Sequence, residues 1–188
     1  KSGTQPIIGT QINFKYGDTT GLLPLYALDE EGYKKIIELS SLSFLNNDEL
    51  SDPHLDIKEL LTECKGVALF SGTVNGLFGR LFDKGKSKEI FELYSKLHSI
   101  HKNNFYIEIQ RHGDQNEESF EKFNLEKSLE IKIPLIATNE VYYLSSDMHE
   151  AHDALICIKN KTYINEKNRI RYSNQHYFKS NAEMSKLF

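Results

Sequence analysis

Short apolar blocks alternate along this chain with stretches whose apolar residues recur at a helical period, which marks strands and helices in turn. Ile7 to Phe14 alternates after its first residues and predicts a strand. Leu22 to Leu28 is a second strand candidate, although Pro24 weakens its front half because proline cannot donate to a ladder. Asp29 opens a helix in which Tyr33, Ile36, Ile37 and Leu39 share a face, and Asn46-Asn47-Asp48 forms a polar break. A helix over about His54 to Cys64 then leads into Gly66 to Ser71, a short apolar run bounded by glycines that suits a buried strand. The pattern continues with a strongly amphipathic helix over Lys86–His101, a strand at Phe105–Ile109 and a helix over Glu117–Glu130. A strand at Ile133–Thr138 and a helix over Asp147–Ile158 follow. Last come a strand-like His176-Tyr177-Phe178 and a helix capped by Ser180, with Glu183 completing a capping box.

Alternation of this kind implies βαβ units around a parallel sheet or barrel, hence an α/β fold. No internal repeat, low-complexity tract or linker divides the chain, so residues 1–188 read as one domain. Lys1 to Pro6 reads like a linker into a strand with no initiator methionine, and Met184 to Phe188 stops in an amphipathic pattern. Both ends are expected to be cuts from a longer chain.

Composition adds exclusions. Hydrophobic residues make up 39% and charged residues 27%, ordinary values for a globular domain. A formal net charge of −4 argues against a broad basic face that would hold DNA by neutralising phosphates. Cys64 and Cys157 lie far apart in no zinc-like spacing, and Cys157 sits in the apolar run Ala154–Ile158, where a buried thiol is expected. No apolar stretch approaches the roughly 20 residues that span a bilayer, and no signal peptide opens the chain. A cytoplasmic location without membrane partners is expected.

Sites in α/β folds form at the C-terminal ends of strands. That rule selects Gly9-Thr10-Gln11, Ser71-Gly72-Thr73, Glu108 to Gly113 and Ala137 to Tyr143. His112 stands out, since an imidazole at a strand end is a common metal ligand or acid–base group, but a loop histidine before a glycine turn is the plainer reading. Glu108 could line an interior or face solvent. His149-Glu150-Ala151-His152 spaces its histidines three apart and fails the zinc-protease pattern, so Asp147, Glu150 and His152 are assigned to the helix start and its solvated face. Ser71 to Arg80 follows a strand and carries glycines, yet it lacks a P-loop ending, and a flexible strand-to-helix turn is expected.

The residues at these strand ends resemble a known family. Gln5-Pro6-Ile7-Ile8-Gly9, Leu69-Phe70-Ser71-Gly72, Tyr106 to Gly113 and Ala137 to Leu144 are similar to consecutive blocks of the PHP domain of bacterial DNA polymerase III alpha subunits, the replicative C-family polymerases. Ala151 to Ile158 and Tyr177 to Met184 continue the blocks in the family's order, so the resemblance covers essentially the whole chain. It implies a PHP-type distorted seven-stranded (β/α) barrel, here partial and lacking its first strands. The resulting open edges lead one to expect self-association. Active members carry a metal cluster at the strand C-termini, act as phosphoesterases and can remove mismatched 3′ nucleotides, through metal-activated water.

Against that pattern, Gly9-Thr10-Gln11 stands where active members have Gly-x-Glu, so Gln11 exchanges a carboxylate for an amide. The histidine after the Glu-Ile-Gln strand is retained as His112. Asn-Asp-x-His becomes Asn139-Glu140-Val141-Tyr142, keeping a longer carboxylate in Glu140 and losing the imidazole at Tyr142. The resemblance thus implies a remnant metal site of His112 and Glu140, with Gln11 and Tyr142 as degenerate positions and no tightly bound metal. Polymerases with such sites generally rely on a separate proofreading exonuclease that docks on the PHP domain. The implied role is structural and partner-binding, within a DNA-directed DNA polymerase whose Mg²⁺, DNA and dNTP are held outside this segment. A metal-dependent phosphoesterase or 3′–5′ exonuclease using His112 and Glu140 is the rival reading.

Overall fold

The computed structural model describes residues 3–47 and 51–188. Two compact units emerge, one of Lys1–Ile109 and Lys122–Ile136, the other of Gln110–Glu121 and Ala137–Phe188.

The first unit is a six-stranded sheet with helices. Its strands are β1 (Gly9–Tyr16), β2 (Thr19–Ala27), β3 (Leu55–Asp56), β4 (Val67–Phe70), β5 (Phe105–Ile109) and β6 (Leu135–Ala137). They lie in the order β3-β1-β2-β4-β5-β6, and the described sheet does not close, as in a partial barrel. The turn Gly17-Asp18, with Gly17 at φ +60°, joins β1 to β2 as an antiparallel hairpin in which Ile12 faces Leu23. β2 also pairs antiparallel with β4, while β1–β3 and β4–β5 are parallel. The sheet is therefore mixed rather than parallel, because a two-residue turn cannot return a strand in the same direction.

Among the described residues, four helices belong to this unit wholly or in part: α1 (Glu30–Leu45), α2 (Leu77–Asp83), α3 (Ser87–His101) and α4 (Glu117–Ile131). Asp29 caps α1 by accepting the Gly32 N–H at 2.8 Å, and burial of Ile36 and Leu39 turns its apolar face inward. Ile90, Leu93, Tyr94 and Leu97 of α3 are buried at helical spacing. The Tyr94 ring meets Phe78 and Phe105 edge-on, with centroids 4.7 and 5.7 Å away, and its hydroxyl donates to buried Asn124 of α4 at 3.1 Å.

Several elements depart from the sequence reading. The strand candidate at Leu22–Leu28 is borne out as β2, but its front half is longer than read, starting at Thr19 and running through Pro24 opposite Gln11. Residues 54–64 form β3 and a short 3₁₀ turn, Ile57–Leu61, instead of a helix. Ile57, Leu60 and Cys64 keep a helical spacing and are buried, but Leu55, also buried, pairs with β1 and draws the segment into the sheet. The segment Ser71 to Arg80, read as a flexible strand-to-helix turn, does lead from a strand to a helix, but the turn is shorter than read because α2 already starts at Leu77. Its glycines serve packing: a Cβ on Gly79 would overlap the Val74 carbonyl, and one on Gly21 of β2 would overlap the Leu77 backbone. Ile7 and Ile8 precede β1 and are exposed. Residues Lys1-Ser2 and Asp48 of the proposed linker and polar break lie outside the described residues.

The second unit contains α5 (His149–Asn160), a 3₁₀ turn at Ser146–Met148 and α6 (Asn181–Leu187). The Ser180–Glu183 capping box is present. Read as strand-like, His176–Phe178 forms one isolated bridge, Tyr143 to Tyr177. Cys64 and Cys157 are both buried free thiols.

Candidate functional site at the strand exits

Three of the four selected segments follow a strand as expected. Gly9-Thr10-Gln11 does not: it opens β1 instead of closing a strand, and the Gln11 side chain is exposed in the first unit. Ser71, directly after β4, is buried and its Oγ accepts the Glu108 N–H at 2.9 Å. Glu108 is itself buried, which answers whether it faces solvent. Burial, with the Glu108 charge adding to it, pushes the Tyr94 hydroxyl well above the ordinary phenol range.

In the second unit the exits after β5 and β6 gather a polar network. Gly113, at φ +78°, turns the chain so that the N–H groups of His112 and Gly113 both donate to Glu117 Oε2 at 2.7 Å. His112 is buried, with Nδ1 3.5 Å from Glu117 Oε1 and Nε2 3.0 Å from Asn139 Oδ1. Asn139 is fixed in orientation because its Nδ2 donates to the Tyr177 carbonyl at 2.7 Å and its Oδ1 accepts from the Lys179 ammonium at 3.0 Å. His112 Nε2 must therefore carry the proton and donate, which occupies that nitrogen.

His176, fully buried, joins the network from downstream. Its ring stacks on His112 at 4.0 Å with planes 5° apart. Nδ1 donates to the Glu140 carbonyl at 3.1 Å, while Nε2 lies 3.9 Å from Asp114 Oδ1 and has no hydrogen-bond partner among the described residues. Tyr142 continues the rings, stacking with His176 at 4.9 Å and with His152 at 5.3 Å. Burial first, then Glu140 and Tyr172, hold the Tyr142 phenol far above its usual range, so it remains protonated. His152 is thus half-buried against Tyr142 and does not lie on a solvated helix face, a correction to the sequence reading. His149 instead donates to the Tyr172 carbonyl at 2.9 Å.

His112 and Tyr142 are thus brought onto one ring, His176, and Glu140 meets the same ring through its carbonyl. The roles of Glu117, Asn139, His176 and Lys179 had escaped the sequence reading. His176 and Lys179 lie far downstream of His112, and no spacing rule links them. Among the described residues, no three His, Cys, Asp or Glu side chains gather where they could share a metal ion.

Comparison with known proteins places the chain. A family model described as PHP domain matches residues 1–112. The chain belongs to the PHP-domain family. It is 34% identical over 195 residues to the DNA polymerase III subunit alpha of Caulobacter vibrioides, covering 100% of this chain and 17% of that protein. The corresponding subunit of Rickettsia conorii is 36% identical over 192 residues, with 100% and 16% covered. That of Vibrio cholerae is 30% identical over 190 residues, with 99% and 16% covered. The chain spans about one-sixth of the length of the curated relatives it matches. Within this PHP chain, no helix of the described residues is long and apolar enough to cross a membrane.

Proposed function

We propose that this chain is the PHP portion of a cytoplasmic replicative DNA polymerase III alpha subunit whose PHP metal site has decayed, leaving a structural and docking role toward the proofreading exonuclease. The parent polypeptide would carry out DNA-templated DNA synthesis with Mg²⁺ held outside this segment, in company with other polymerase III subunits. The observation that carries the reading is the state of His112: Nε2 is committed to Asn139, and Nδ1 faces Glu117. The rest of the donor set fits a divalent cluster poorly. Gln11 offers a neutral amide and Tyr142 a protonated phenol, which leaves Glu140 as the carboxylate of the remnant positions. Second-order support is likewise spent on the protein itself, since Asn139 bonds a lysine and a carbonyl.

Elemental analysis of the full-length polypeptide tests this. Near-zero zinc, manganese and iron are expected, together with co-purification of the exonuclease. Stoichiometric metal that is lost in His112→Ala would overturn the reading and restore a working phosphoesterase or 3′–5′ exonuclease.

A further inference from the structure

Lys179 is the least expected member of the strand-exit network. It is only 8% exposed, although a buried ammonium is costly unless its donors are matched. Its matches are specific. Nζ donates to Asn139 Oδ1 at 3.0 Å and to the Gln175 carbonyl, and it lies 4.4 Å from the Tyr177 ring centroid. Burial works against its charged form, and the carboxylates of Glu183 and Glu117 work in its favour. Through Asn139 the ammonium reaches His112, because the same Oδ1 accepts from both. Three chain segments, at His112, at Asn139 and at Gln175–Lys179, thus converge on one amide oxygen and one positive charge.

We propose that the Lys179 ammonium is the resident cation of this site, tying the segment Gln175–Lys179 to the strand exits through Asn139 in place of a metal ion. The assignment rests on the decayed-site reading above and extends it by naming what holds the site together. Lysine suits this position, being a compact donor-only charge on a stem long enough to reach back from a loop, with no lone pair to compete for the proton on His112. Lys179 is a positioning residue here, with no role in chemistry.

Hydrogen exchange on the full-length polypeptide reads the tie directly. The Tyr142 N–H donates to the His176 carbonyl and the Phe178 N–H to the Tyr143 carbonyl, so both report on whether the two segments stay joined. Loss of a hydrogen bond to a charged group implies that Lys179→Met speeds exchange in peptides carrying these amides by roughly 10- to 100-fold. Peptides covering Val67–Phe70 should not change, and Lys179→Arg should restore most of the protection. Unaltered exchange in Lys179→Met overturns the assignment. So does a Lys179→Arg variant as unprotected as Lys179→Met, since shape and not charge would then be at work. Metal content of the same samples separates the two readings: stoichiometric metal overturns the proposed function and this assignment with it. Metal-free protein with unaltered exchange overturns the assignment alone.

Discussion

Asp153 and Arg169 form an ion pair whose removal has a calculable local cost. The pair is bidentate, at 2.5 and 2.7 Å, and the side chains are only 9% and 5% exposed. Arg169 also donates to the Ile164 carbonyl at 3.2 Å, so the guanidinium pins the irregular segment after α5 onto the buried face of that helix. Asp153→Asn keeps the shape and removes the charge, leaving a buried guanidinium without its counter-ion. Losing these charge-assisted hydrogen bonds implies a rise in local opening of roughly 10- to 100-fold. The Thr162 and Glu166 amides bond to Cys157 and Tyr163 carbonyls at 3.0 Å, and hydrogen exchange there reads the opening. Replacing both partners, Asp153→Leu with Arg169→Met, should recover much of the protection, because no charge is then stranded. An increase below about tenfold in Asp153→Asn would refute the reasoning, since the pair would then be as weak as an exposed one. Acid should act in the same direction. Arg169 holds the Asp153 carboxyl below its ordinary value of 3.8, so this stabilisation is present above that pH and is lost as the pH falls through the lower folded-state value.

Two further outcomes follow from the first unit. Burial pushes the His101 imidazole below its ordinary 6.5 while its Nε2 donates to the Leu60 carbonyl at 2.7 Å. The unfolded chain therefore binds the proton first, and urea denaturation should show stability falling below about pH 6.5, by at most about 1.4 kcal/mol per pH unit, with His101→Gln flattening the slope. Gly79→Ala would press a methyl group into the Val74 backbone and should cost about 3 kcal/mol in the same assay; a loss below about 1 kcal/mol would mean that α2 shifts freely against the turn at Val74.

Elements with a complete local signal were legible from the chain. Strand β5, helices α3 and α4 and the Ser180 capping box fall where periodicity and capping put them, because nothing distant has to be known to form them. Helix α2 was hidden by Gly76 and Gly79, which look like loop residues until Gly76 is seen against the Leu22 carbonyl of β2 and Gly79 against the Val74 carbonyl. Pro24 was read as weakening the front of its strand, yet β2 runs through it, with Pro24 opposite Gln11 in the hairpin.

The site was legible at its anchors and opaque in its pairings, and Tyr142 shows why. Counted as a missing ligand, tyrosine for histidine is only a loss, since a phenol kept protonated offers no lone-pair anion to a metal. Its ring, however, is used: His176 and His152 both stack on it, and Tyr172 packs against it at 4.6 Å. An imidazole at the same place would present a smaller ring with two polar nitrogens to the same neighbours, and each nitrogen would need a partner. Tyrosine keeps the stack and removes that demand. The exchange that the family resemblance reads as the loss of a ligand thus supplies a ring to a packed cluster, which is visible only once the downstream His176 is seen against Tyr142.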